Sequence, residues 1–136
     1  MFVGNENIIV ELFYRQGKNG SMRVARNLDL VEESEKSKFQ KITLNMKPMT
    51  WKIYNDLQRN STIDRGRGSG EEIDWLLYKE KKLVTVLVGW NAKNEKGEPI
   101  PVTPENIFKL HPMMVEMALN TFDSVTLLGE EERKNS

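Results

Sequence analysis

The chain has 136 residues, a length that suits one domain able to bury a core without disulfides or a structural metal. It has no cysteine, which excludes disulfide frameworks, thiolate metal sites and cysteine nucleophiles. Twenty basic and twenty acidic residues cancel, so the overall positive field that non-specific nucleic-acid binding exploits is missing and nucleic acid is not the leading partner.

The first residues, MFVGNENIIVELFYRQ, lack a basic region followed by a clean apolar core, so no secretory signal is expected. Ile8, Val10, Leu12 and Tyr14 alternate with Ile9, Glu11, Phe13 and Arg15, which predicts a strand. QGKNGS reads as a glycine-containing reversal, and the return strand is expected over Met22 to Val31. VEESEKS is a solvated charged loop. A third strand follows over Phe39 to Met46, where Ile42, Leu44 and Met46 alternate with polar residues.

At KPMTWKIYNDLQRNS the period turns helical, with Thr50 as N-cap and Trp51, Tyr54 and Leu57 along one side of a helix ending at Arg59. STIDRGRGSG, Ser61 to Gly70, reads as a mobile glycine-rich loop. The next helix is expected to start near Glu71, with Glu71, Glu72 and Asp74 at the positive end of its dipole. Ile73, Leu76, Leu77, Leu83, Val84, Leu87 and Val88 recur on one side and carry it to Gly89. The β-branched run VTVLV is also compatible with a strand, but length and periodicity favour helix. The apolar run from Leu83 to Val88 is far short of the roughly 20 residues that span a bilayer, so a soluble, intracellular protein is expected.

NEKGEP is a turn around Gly97, and Pro99 and Pro101 keep the chain extended. Thr103 caps a helix opening with Pro104 and Glu105, and Pro112 restarts the chain after His111. Met114, Met117, Ala118, Thr121 and Val125 then outline a helical face that Val115, Leu119 and Phe122 widen. The expected fold is α+β: a small antiparallel N-terminal sheet packed against three or four helices, with residues 1–46 β-rich, 47–129 helical and 130–136 a flexible tail.

Catalytic groupings are not visible. His111 is the only histidine, and Glu105 and Glu116 stand at no recognised ligand spacing from it, so it reads as a junction residue and no metal or cofactor is expected. RGRGSG lacks the Gly-Lys-Ser/Thr ending of a phosphate loop; Arg65 and Arg67 are nonetheless the best pair for a nucleic-acid contact. Glu71, Glu72 and Asp74 are too close along a helix to face one another as acid and base. Met113, Met114 and Met117, with Trp90 and Phe122, form the candidate partner-binding set, because methionines give an adaptable surface. The ordinary reading of methionines at helical spacing is core packing, and Trp90 reads as a core anchor by the same logic.

The long helix ending in VGW, the glycine turn, PIPVTPENI, the following helix and EEERKN, over roughly Lys41 to Asn135, resemble bacteriophage tail assembly chaperones and related small tail-cluster proteins. The N-terminal hairpin lies outside the likeness and leaves open a structural virion adaptor, such as a head–tail or tail-terminus component. The resemblance implies a non-enzymatic role in the host cytoplasm. Such chaperones bind the tape-measure protein, help tail-tube subunits assemble and leave before the particle is complete. Self-association is also expected, and a nucleic-acid-binding regulator using Arg65 and Arg67 is the alternative from a different class.

Overall fold

The period-two pattern at the N-terminus forms β1, Ile8–Gln16, flanked on both sides by antiparallel neighbours: β2, Met22–Ala25, and β3, Gln40–Met46. Val10 faces Leu44 across the ladder and Leu12 faces Ile42, so alternation puts the apolar set of both strands on one face. Leu12, Leu44 and Met46 on that face are wholly buried. This computed structural model describes residues 1–64 and 71–128.

The β1–β2 reversal is closed by the Gly17 amide donating to the Ser21 carbonyl at 2.8 Å, with Asn19 and Gly20 in left-handed conformation. β2 stops at Ala25, well short of the Val31 expected. Asn27 ends it: its side-chain oxygen accepts the Asp29 amide at 2.9 Å and caps a 3-10 turn, Leu28–Leu30, giving the backbone a local alternative to the ladder. Val31 then turns inward and is buried.

Helix α1, Trp51–Asn60, begins as expected: the Thr50 hydroxyl accepts the Ile53 amide at 3.2 Å. The next helix does not begin at Glu71. Glu71–Ile73 is a short strand, β5, paired with β4, Thr62–Asp64, and α2 covers Trp75–Val86. Asp74 decides the start, because its carboxylate accepts the amides of Leu76 and Leu77, both at 3.1 Å. Residues 65–70 of the expected glycine loop, Arg65 and Arg67 among them, lie outside the described residues, as does the tail 130–136.

The helix expected to run to Gly89 ends at Val86. Leu87–Trp90 is β6, antiparallel to β3, with Trp90 opposite Leu44 and Gly89 opposite Asn45. The sheet, ordered β2-β1-β3-β6, thus takes its fourth strand from the half read as helical. The open side of β3 supplies the reason: its backbone groups need partners, and Leu87–Trp90, with β-branched Val88 and aromatic Trp90, suits a strand once α2 has ended at Val86. Gly89 serves as a strand residue in close contact, since a Cβ there would stand 3.2 Å from Asn45 Cβ.

Beyond β6 the chain turns about Asn94, whose side-chain oxygen accepts the amides of Lys96 and Glu98, with Gly97 left-handed. The Thr103 hydroxyl accepts the Asn106 amide and starts α3, Pro104–Ile107; α4 follows as Pro112–Leu128. α4 lies across β1 and β2, and α2 packs on α1, α3 and α4. The core sits between: Met114, Ala118, Leu119 and Phe122 of α4 and Leu83 and Val86 of α2 meet the sheet's inner face. Among the described residues no helix is long and apolar enough to cross a membrane.

Candidate protein-binding face

Of the five residues read as a partner-binding set, two are removed from that role by packing. Met114 and Phe122 lie on the side of α4 that the sheet covers and are 3% and 0% exposed. Their spacing, with Ala118 between, is that of one helical stripe, and the sheet takes the whole stripe. Met113, one residue from Met114 and so about 100° around the helix, is 45% exposed. Met117 is half-buried on the flank. Trp90 packs against the core as a half-buried anchor, its indole N–H donating to the Ile100 carbonyl at 2.6 Å across the glycine turn.

His111 is a junction residue with a defined task. Its Nδ1 accepts the Met113 amide at 3.1 Å, capping α4, which leaves Nε2 to carry the proton and donate to the Gly20 carbonyl at 2.7 Å. One imidazole thereby fixes the start of α4 to the β1–β2 reversal. Neither ring nitrogen is left to bind a metal, and the described residues contain no group of three or more histidine, aspartate or glutamate side chains able to hold one.

Sequence reading passed over Lys82, the one buried charge among the described residues. Its Nζ sits 2.6 Å from Asp123 Oδ1 and 5.7 Å from the centres of the Tyr78 and Phe122 rings. The pair ties α2 to α4, and the rings offer the ammonium a favourable face where water is excluded. Burial pushes the Tyr78 phenol above its ordinary range, with Tyr54 and Asp123 adding to the effect. A phenol held neutral beside a neutralised ion pair is a structural arrangement.

The exposed apolar surface lies elsewhere, where α2, α3 and α4 meet. Leu76, expected on the buried side of its helix, is 70% exposed, and Phe108, just past α3, is 60% exposed. The two stand over a groove of about 240 Å³ whose other apolar walls come from Leu83, Ile107, Pro112 and Val115. A second groove of about 350 Å³ shares Phe108 and Glu80 with the first and runs past Leu57, Leu77, Val84 and Pro104. Lys79 and Glu116 close one rim of the first groove as an ion pair at 3.1 Å. The signal for this face was present in the sequence: α2 carries leucines on more sides than one neighbour can cover. Phe108 gave no signal, because α3 is too short to show a period.

No protein-family model, curated protein or solved structure matches this chain.

Proposed function

We propose that this chain is a non-enzymatic protein-binding factor that uses the grooved face around Leu76 and Phe108. One observation carries the reading: two large apolar side chains, Leu76 at 70% and Phe108 at 60% exposure, stand over adjoining grooves with apolar walls. Isolated exposed leucines need no explanation, but a contiguous groove with apolar walls is the form that a partner helix fills. The titratable groups support the same reading, since Lys82, Asp123 and His111 are all engaged in holding helices in place.

The resemblance to tail assembly chaperones supplies the partner class: tape-measure or tail-tube proteins during phage tail morphogenesis. A long helical partner suits a groove between helices. Self-association through the same face belongs to this reading, as a second copy would cover the same apolar surface.

Co-expression with a phage tape-measure protein tests the proposal. Leu76→Asp and Phe108→Asp are expected to keep the melting transition and lose capture at least tenfold, a loss of about 1.4 kcal/mol or more. Capture at the level of the unmodified protein by both folded variants would remove the groove from the interface. A protein inventory of finished particles then separates a chaperone, which leaves, from a virion adaptor, which stays.

A further inference from the structure

We propose that the cleft between α4 and the free edge of β2 is a second binding site, one that takes an extended peptide whose acidic residues flank an apolar side chain. The cleft holds about 510 Å³ and is entered past Arg23 and Arg26. Neither guanidinium has a carboxylate partner among the described residues. Arg23 lies over the Phe39 ring at 5.6 Å, and Arg26 reaches only the Ser124 hydroxyl, at 3.4 Å. The contrast with the neighbouring cations is what matters: Arg15 is paired with Glu35, Lys38 with Glu35 at 3.5 Å and Lys36 with Glu33 at 2.7 Å. Among the described residues, both arginines that line the cleft are without a carboxylate partner.

Planar guanidinium groups bind carboxylates in a two-point fork, and such pairs gain strength where an apolar wall excludes water. That wall is present. Leu30, 75% exposed at the mouth, Val31 and Met117 line the space between the arginines. β2 is an edge strand of the sheet, so its outward backbone groups can pair with an incoming extended segment. Single-stranded nucleic acid fits less well. Base stacking takes an open aromatic face, whereas Arg23 already covers Phe39, and the balanced charge of the chain gives no field to draw a polyanion.

This site is independent of the groove at Leu76 and Phe108. Met117 and Val115 are two residues apart on α4, about 200° around its axis, so the two sites lie on different flanks and can be filled together. A protein with two such sites can hold a helical partner and an acidic segment at once.

Fluorescence anisotropy with the full chain decides. The probe is a short labelled peptide carrying glutamates on both sides of a leucine–phenylalanine pair. The controls are the same peptide with lysines for glutamates and a labelled oligothymidine. Saturable binding is expected, at least about tenfold tighter for the glutamate peptide, and weaker as salt rises. Arg26→Gln and Leu30→Ala should each weaken it at least about fivefold, and the exposure of Leu30 keeps the second variant folded; Leu76→Asp should leave it unchanged. Equal binding of both peptides, indifference to both cleft variants, or preference for oligothymidine would overturn the proposal. None of these outcomes bears on capture at the Leu76 groove.

Discussion

The sheet and the helical layer dispose of their apolar residues in opposite ways. In β1 and β3 every inward side chain from Val10 to Leu12 and Ile42 to Met46 is buried, and outward charges meet partners, as Lys41 does with Glu11 at 3.1 Å. In the helical layer Leu76, Phe108 and Met113 stand exposed beside fully packed neighbours. A strand has two sides, so one covering layer hides its inward apolar set and leaves an outward residue such as Ile9 of β1 56% exposed. α2 has apolar residues around much of its circumference and would need neighbours on three sides; α1, α3 and α4 supply part of that cover. The part left open is where binding is available at least cost to folding.

Substitutions at neighbouring positions of α4 give the widest test of this contrast. Met114→Asp would bury a charge without a partner, a cost of several kcal/mol on the order of a small domain's whole stability, and should abolish the cooperative melt. Met113→Asp, one residue away, should leave the transition within about 0.5 kcal/mol of the unmodified protein. Thermal melts followed by circular dichroism read both, and equal loss in the two would mean that the exposed flank of α4 is not exposed in solution.

A smaller effect is expected where the layers of helix are tied by charge. Asp123→Ala leaves Lys82 buried and uncompensated, and should cost about 1–3 kcal/mol, less than a fully buried pair because Asp123 is partly exposed. Adding Lys82→Met should recover most of the loss, which urea unfolding of the single and double variants would measure. Failure of the second change to help would mean that the loss at Asp123 does not come from an unpaired ammonium.

Gly89→Ala probes the seam between the two regions. Its new Cβ meets Asn45 at 3.2 Å, so a cost of about 1 kcal/mol is expected, relieved when Asn45 is also shortened to alanine. A glycine acting as a helix terminator would show no such coupling to Asn45.

The smallest effect is a pH dependence. Burial in the folded state raises the Tyr78 phenol above its ordinary value of 10.0, so above that pH the unfolded chain releases the proton while the folded one retains it. Stability should therefore fall as pH climbs past about 10 towards the folded value, and Tyr78→Phe should flatten that part of the curve. An unchanged slope in the phenylalanine variant would assign the alkaline loss to other groups.

Local chemistry was enough to write β1, β3, α1 and the caps at Thr50 and Thr103 into the sequence, because alternation, helical spacing and a hydroxyl before the first turn act through neighbouring residues. The burial of Met114 with Ala118 was legible from spacing for the same reason. Four things were decided only in three dimensions. Leu87–Trp90 became a strand because β3 offered an open edge, a long-range partner that no local period encodes. Lys82 found Asp123 from 41 residues away. Leu76 and Phe108 came to share a groove because α3 and α4 stop short of covering them. Arg23 and Arg26 came to line one cleft because β2 and the turn after it pack beside α4. A surface open to a partner is what remains after the fold has chosen its contacts, so it depends on which residues from distant parts of the chain meet first.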